Sequence, residues 1–172
     1  SIIIPFKNSE RSIIKTLKSI TMQDTDSDLY EVLLINDFSN YKTIHIIKNY
    51  INNLKNFKLY KSKKNIVGPG HARNIGISYS SGRYILFLDS DDCLKKGCLN
   101  KIINKTSIIK SDIYAFGFNV VDTLRNMKRK KRHDLNLMKL SKIEIIKKYF
   151  ESSIIPQVIS NLFLREFLIK NK

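Results

Sequence analysis

Short apolar runs alternate along the chain with segments whose apolar residues recur at helical spacing. Ser1 to Phe6 is a β-rich run ended by Pro5 and the polar Lys7-Asn8-Ser9. From Ser9 to Met22, Ile13, Ile14, Leu17 and Ile20 share a helical face, with Ser9 placed to cap the first turn. Glu31 to Ile35 predicts a second buried strand, which ends in Asn36-Asp37. Tyr41 to Leu54 sets Ile44, Ile47, Tyr50, Ile51 and Leu54 on one helical face, and Phe57 to Tyr60 predicts a third strand. A basic loop rich in Gly and Pro, Lys63 to Gly70, feeds a helix from His71 to Tyr79 that stops at Ser81-Gly82. Tyr84 to Leu88 is a further buried strand of β-formers. Gly97 to Ile109 then predicts a helix, and Ile113 to Val121 a long strand.

Strand and helix in alternation argue for an α/β fold with a largely parallel sheet. Such sheets bind ligands outside the carboxyl ends of their strands, where strand order reverses. Three strands here end in polar groups: at Asn8, at Asp37, and at Asp89-Ser90-Asp91-Asp92. If those strands are parallel and central, the three groups face one crevice. Past Val121 the pattern weakens. Asp122 to Asn136 predicts a hairpin tip or mobile loop. Ser141 to Phe150 predicts a helix whose Ser141 and Glu144 form a capping box. Ile154-Ile155-Pro156 and Asn161 to Leu168 are apolar enough to be packed.

Composition adds one feature to this picture. Of 172 residues, 31 are basic and 15 acidic, a formal net charge of +16. Such a charge favours polyanions, whether nucleic acid, anionic lipid or phosphorylated substrates. It is densest at Lys128-Arg129-Lys130-Lys131-Arg132-His133. The hydrophobic fraction of 42% is that of a soluble globular domain. No apolar run has the length of a membrane-spanning helix, and no signal peptide is visible. The chain opens on Ser1 without Met, so upstream residues are expected to have been removed. Cys93 and Cys98 are too few for a disulfide framework or a four-ligand zinc site, and free thiols in a reducing cytoplasm are expected.

The acids at the end of the fourth strand carry the most chemistry. Three carboxylates in four positions at a strand terminus call for a cation, because burying them unpaired is costly. Asp89 and Asp91 can approach one hard cation if the backbone turns at Ser90. Mg²⁺ or Mn²⁺ suits such oxygen ligands and commonly completes its shell with substrate phosphates. The structural alternative is that Asp91 or Asp92 caps the following segment. Asp37 can accept a hydrogen bond from a base N–H such as uracil N3, or close an Asx-turn with Ser39 or Asn40. The Gly68-Pro69-Gly70 loop can bring backbone N–H groups and Arg73 towards an anion, or Arg73 can simply be solvated. The loop has neither P-loop nor dinucleotide spacing.

Taken in order, Ser1 to Asn8, Leu34 to Asp37, Gly68 to Ile77 and Gly82 to Asp92 closely resemble the family 2 glycosyltransferases of the GT-A fold. The likeness is greatest to bacterial enzymes of surface-polysaccharide synthesis, and it covers residues 1 to 123. It resumes at Asn161 to Leu168. The resemblance implies a Rossmann-like, mostly parallel sheet flanked by helices, truncated at its C-terminal end. Residues 1–123 would be the nucleotide-sugar-binding core, and 124–172 the start of an acceptor-side region. It further implies a metal-dependent inverting hexosyl- or N-acetylhexosaminyltransferase that uses Mn²⁺ or Mg²⁺ and leans towards a UDP-sugar as donor. The acceptor would be a saccharide or lipid-linked chain of the capsule or lipopolysaccharide type.

By the same resemblance Pro5, Phe6, Asn8 and Asp37 cradle the base, and Arg73 holds the base or diphosphate. Asp89 is the ribose-side acid and Asp91 the metal ligand, with Ser90 between them. Family members often have Tyr where Lys7 stands, and Gly-Ser where this chain has Phe38-Ser39. Their general base follows the stretch that resembles Asn161 to Leu168, so it is expected beyond Lys172. Asp122, Asp134, Glu144, Glu151 and Glu166 are not favoured for that role.

Two other readings compete. A nucleic-acid-binding module would explain the charge, but the basic residues form no helix-turn-helix, RRM or zinc pattern, and nucleic acid is not expected as a partner. A sugar-nucleotide pyrophosphorylase would need a Gly-rich, Arg-containing loop after the first strand, which Phe6-Lys7-Asn8-Ser9 is not. Lys128, Arg129, Lys130, Lys131 and Arg132 suggest a membrane-binding role, a peripheral contact at the inner face from the cytoplasm.

Overall fold

The computed structural model describes residues 1–62, 68–122, 127–131 and 160–171. Its main sheet has six strands: β1 (Ile2–Phe6), β2 (Val32–Asn36), β3 (Phe57–Lys61), β4 (Tyr84–Phe87), β5 (Ile113–Ala115) and β8 (Asn161–Leu164). Their order is β3-β2-β1-β4-β8-β5. Of these six, β8 alone runs against the others, pairing antiparallel with both β4 and β5. Helices α1 (Ile13–Thr21), α2 (Tyr41–Ile51), α3 (Pro69–Tyr79) and α4 (Cys98–Ile108) connect the strands, and α5 (Arg165–Lys170) follows β8. The mixed α/β architecture expected from the alternation is therefore present.

The central strands β1, β2 and β4 read as nearly unbroken apolar runs because both faces of the sheet are covered there. Alternate side chains go to opposite sides. Ile2, Ile4, Phe6, Val32, Leu34, Leu86 and Leu88 pack with Ile13, Leu17 and Ile20 of α1, Ile47 of α2 and Leu99 of α4. Ile3, Leu33, Ile35, Ile85 and Phe87 pack on the other side with Ala72 and Ile77 of α3, and with Phe163 and Leu168. Thus α1 and α2 carry the chain outward from β1 to β3 along one face, and α3 returns it along the other to the far side of β1. The reversal of strand order lies between β1 and β4.

Pro5 sits inside β1, a central strand, where a missing N–H is normally excluded. The Ile3 carbonyl accepts from Leu88 N–H at 3.0 Å, so Ile3 turns its backbone polar groups towards β4. Pro5, two residues on, faces the same way. Pairing with β4 has ended by then, at Ile3 opposite Phe87. Proline therefore costs no ladder hydrogen bond, and the gap it faces opens into the cleft described below.

Several local expectations are corrected. Ile113 to Val121 is two strands, broken at Phe116-Gly117: β5 joins the main sheet, while β6 (Phe118–Asp122) pairs antiparallel with β7 (Met127–Lys131) in a ribbon of its own. The basic residues Lys128 to Lys131, expected at a hairpin tip or in a mobile loop, lie instead within β7 of this ribbon. Ser9 does not cap α1: Ser12 occupies the N-cap, and the Ser9 carbonyl accepts from Ser12 and Ile13 N–H in a preceding turn. The expected loop at 63–67, helix at 141–150 and packed run at 154–156, with Arg132, Asp134, Glu144 and Glu151, lie outside the described residues. Because β8 fills the place between β4 and β5, residues on both sides of position 123 share one sheet.

Glu31 stitches the end of the sheet opposite the cleft. Its carboxylate accepts from Ser81 N–H at 2.7 Å, from the Ser1 and Ser81 hydroxyls at 2.8 Å and from Lys58 Nζ at 3.2 Å. Burial alone would push this carboxyl up, but the donors outweigh it and hold the pKa at about 2, against an ordinary 4.5. A carboxyl depressed in the folded state contributes stability above its unfolded pKa and loses it as pH falls through the folded one. Glu31→Gln is therefore expected to cost roughly 2 kcal/mol at neutral pH. The difference from wild type should shrink as pH drops from about 4.5 towards 2. Urea titrations across that range check this; a difference independent of pH would count against it.

Candidate functional site

Three parallel strands deliver their carboxyl ends to one cleft of about 330 Å³. Pro5, Phe6 and Lys7 enter from β1, Asp37 from the end of β2, and Asp89, Ser90 and Asp91 from the end of β4; Pro69 and Arg73 close it from α3. This is the reversal point of strand order, where open α/β sheets bind ligands. A second cavity, about 300 Å³, lies near the start of β1 and β4 among Tyr30, Tyr84, Leu99, Ile102 and Leu162. It has no carboxylate in its lining, so convergent polar groups favour the first.

Asp37 is 4% exposed. One of its oxygens, Oδ2, accepts from Gly68 N–H at 3.0 Å, while Oδ1 is buried with no partner among the described residues. The Asx-turn alternative is resolved in favour of other residues. Asn36 Oδ1 accepts from Ser39 N–H at 2.8 Å, and Asn40 Oδ1 caps α2 through Thr43 N–H at 2.9 Å. Among the described residues Asp37 thus keeps one unpartnered, buried acceptor in the cleft wall. Gly68, at φ +136°, is the N-cap of α3 and Pro69 its first residue, so Pro69 and Arg73 lie one turn apart on the cleft side.

Arg73 is not a solvated side chain. Its Nη2 donates to Asp89 Oδ1 at 2.6 Å, and its Nε is buried without a partner among the described residues. Asp89 is thereby partly neutralised and oriented. Asp91 is exposed, and among the described residues no ion pair engages it. Burial, and then the nearby Asp91 and Asp89 charges, push the Asp92 carboxyl up. The Asp92 N–H donates to the Asp89 carbonyl at 3.0 Å, closing the turn at Ser90 that the paired acids require. Neither Asp91 nor Asp92 caps a helix, because α4 starts at Cys98 with Gly97 as its N-cap.

A divalent cation fits this donor set. Three mutually repelling carboxylates have one guanidinium among them, and Asp91 offers oxygens towards the cleft. Among the described residues no cluster of three or more His, Cys, Asp or Glu side chains could enclose an ion. A cation held here by Asp91, with Asp89 beside it, would take its other ligands from a bound phosphate or water, as Mg²⁺ and Mn²⁺ commonly do.

Asn8 does not line the cleft. At φ +48° it braces the neighbouring loop, donating its N–H to Ser39 Oγ at 3.2 Å and accepting from Asn40 N–H at 2.8 Å. Phe38 also has a positive φ, +58°, the region in which glycine is unstrained. Lys7 and Pro69 join the lining; Lys7 follows Phe6 directly, and Pro69 belongs to the Gly68-Pro69-Gly70 loop that the sequence places near an anion. Cys93 and Cys98 are free thiols, the first exposed. Among the described residues no helix is long and apolar enough to cross a membrane.

Comparison with known proteins bears on the family and the fold. The family model described as "Glycosyl transferase family 2" matches residues 1–170. The chain is similar to the poly(ribitol-phosphate) beta-N-acetylglucosaminyltransferase TarS of Staphylococcus aureus, with 37% identity over 99 residues, or 58% of this chain and 17% of that protein. It is also similar to the minor teichoic acid biosynthesis protein GgaB of Bacillus subtilis, with 34% identity over 113 residues, 66% of this chain and 12% of the relative. A crystal structure of S. aureus TarS 1–349 in complex with UDP-GlcNAc superposes with a TM-score of 0.78 at 24% identity, covering 99% of this chain and 46% of that one. The mannosyltransferase PcManGT from Pyrobaculum calidifontis, in complex with GDP-Man and Mn²⁺, gives 0.64 at 18% identity, covering 99% and 45%. At these identities the two structures establish a common fold. The chain spans less than half the length of either structure and a smaller share of the curated relatives.

Proposed function

The chain belongs to glycosyl transferase family 2, and from that premise we propose that its cleft binds the nucleoside diphosphate of a sugar donor, with UDP as the nucleotide. Asp37 carries the proposal: a buried carboxylate oxygen with no partner among the described residues matches a base that presents an N–H, as uracil does at N3. Pro5 and Phe6 flank that base, with Asn8 bracing the loop behind them. Arg73 holds the diphosphate side, Asp89 the ribose side, and Asp91 a Mn²⁺ or Mg²⁺ ion, with Ser90 forming the turn between the acids. When bound, the cation offsets the charge that builds on the departing nucleoside diphosphate. The sugar passes with inversion to a saccharide or lipid-linked acceptor in the synthesis of a bacterial surface polymer. The names of the relatives, which refer to poly(ribitol-phosphate) and teichoic acid, support a phosphate-containing polymer of that kind. None of the residues placed in the cleft is assigned the general base.

Calorimetry with UDP, CDP and the corresponding sugar nucleotides tests the base assignment. UDP is expected to bind more tightly than CDP, whose cytosine has an acceptor and no N–H at N3, and Asp37→Ala to weaken UDP binding about tenfold, the cost of one hydrogen bond to a charged acceptor. Equal affinity for both nucleotides, or an indifferent Asp37→Ala, would remove the assignment.

The polybasic ribbon supports a peripheral membrane contact at the cytoplasmic face. Lys128, Arg129, Lys130 and Lys131 follow one another along β7, and Val120 and Val121 of the partner strand are exposed. Each basic residue near an anionic surface contributes roughly 1 kcal/mol. Changing Lys128 to Arg132 to Gln is expected to abolish co-sedimentation with phosphatidylglycerol vesicles; unchanged co-sedimentation would exclude the contact.

A further inference from the structure

The segment between β4 and α4 carries the acids and has no regular secondary structure of its own, so its backbone groups need partners from elsewhere. They find them on α1. The Thr16 hydroxyl donates to the Ser90 carbonyl at 3.0 Å, between the two acids of the turn. Ser19 Oγ accepts from Leu94 N–H at 3.0 Å and donates to the Thr16 carbonyl at 2.7 Å. Gln23, just past the end of α1, donates from Nε2 to the Lys95 carbonyl at 3.1 Å and accepts from Leu99 N–H at 3.3 Å. Residues 16, 19 and 23 follow the helical spacing of one face, and in sequence they look like ordinary polar interruptions of an amphipathic helix.

Their burial says otherwise. Thr16 is fully buried and Gln23 nearly so. A polar side chain in the interior must satisfy a partner or lose several hydrogen bonds to water. Each of these satisfies the main chain of the acid-bearing segment at successive points, over about 75 residues of sequence separation. The Ser90 contact is the decisive one, because the peptide it grips separates Asp89 from Asp91. A rotation of that peptide would swing Asp91 relative to Asp89, whose position is already set by Arg73 at 2.6 Å.

We propose that the Thr16, Ser19 and Gln23 stripe of α1 is a positioning device for the acid turn, in which Thr16 sets where Asp91 stands and so tunes the affinity for the divalent cation and the diphosphate it accompanies. The inference rests on the reading of Asp91 as the cation's ligand. Thr16 touches neither ligand; it acts through the Ser90 carbonyl. Supporting groups of this kind typically change metal affinity 10- to 100-fold when lost.

Thr16→Val keeps the shape and removes the hydroxyl, and Thr16→Ser keeps the hydroxyl. UDP binding is measured calorimetrically on the whole chain with Mn²⁺ and, separately, in EDTA, with thermal unfolding in EDTA followed in parallel. Thr16→Val is expected to weaken UDP binding about tenfold with Mn²⁺ and to leave the EDTA affinity unchanged, and Thr16→Ser to restore the wild-type value. Equal weakening with and without Mn²⁺ would mean a merely structural hydroxyl and overturn the proposal, as would an unaffected Thr16→Val. Should Thr16→Val melt early, Ser19→Ala, which frees the Leu94 N–H, takes its place in both conditions. Weakening confined to Mn²⁺ then supports the proposal, and equal weakening or none overturns it. A wild type whose UDP binding ignores Mn²⁺ overturns the underlying reading and the proposal with it, whereas a metal-dependent wild type with an indifferent Thr16→Val overturns the proposal alone.

Discussion

Asp91→Ala is expected to remove the metal-dependent part of nucleotide binding. With Mn²⁺ present, its affinity for UDP should fall roughly hundredfold, the upper end of what changes around a metal cost, because a direct ligand is lost. Without metal it should bind UDP at least as well as wild type does, since among the described residues Asp91 takes part in no ion pair that its removal would break and its charge repels the diphosphate. Asp89→Ala should behave differently. It leaves the half-buried Arg73 guanidinium without its 2.6 Å partner, so binding should change in EDTA as well as with Mn²⁺. The contrast separates an acid that faces a cation from one that organises the cleft. Calorimetry in the two conditions provides it. Wild-type metal dependence in Asp91→Ala would place the cation elsewhere.

The largest effect on stability is expected at Gly76. α3 crosses β1 so closely there that an added Cβ would stand 2.3 Å from Cγ2 of Ile3. Ile3 is fully buried between β2 and β4 and has no room to yield. Gly76→Val must therefore lift α3 from the sheet, at a cost of about 3 kcal/mol typical of severe overpacking. For a chain of this size that lowers the melting temperature by roughly 6–12 °C. Because Pro69 and Arg73 ride on the same helix, UDP binding should weaken too. Gly70, on the first turn of α3, is the control: nothing lies within 4 Å of a Cβ there, and Gly70→Ala should melt close to wild type. A melting curve for Gly76→Val that overlays the wild type would show that α3 accommodates the side chain.

Much of the site is legible in the amino-acid sequence. β1, β2 and β4 are apolar runs that end in polar residues, and parallel strands must present those ends on one side. Asp37 and the acids at 89–91 can thus be gathered into one crevice from separate segments, and the loop before α3 adds Arg73 to them. Asn8 is gathered with them by the same logic, yet a positive φ turns it away to brace Ser39 and Asn40. The long strand expected at Ile113 to Val121 fails for a related reason. β propensity is continuous across Phe116-Gly117, and only the choice of pairing partner divides it between two sheets.

Periodicity and strand-end chemistry are local, and they suffice to specify an α/β domain, its helical faces and the carboxylates of its cleft. What the tertiary structure alone decided involves residues far apart whose types are common. The Arg73–Asp89 ion pair, the Asp37–Gly68 hydrogen bond and the grip of Thr16 on Ser90 each depend on a distance that no local pattern encodes. The same holds for β8, a four-residue strand with three apolar residues that enters the sheet antiparallel between β4 and β5. Apolar runs of that length are interchangeable by composition, and register and burial in the folded sheet choose among them.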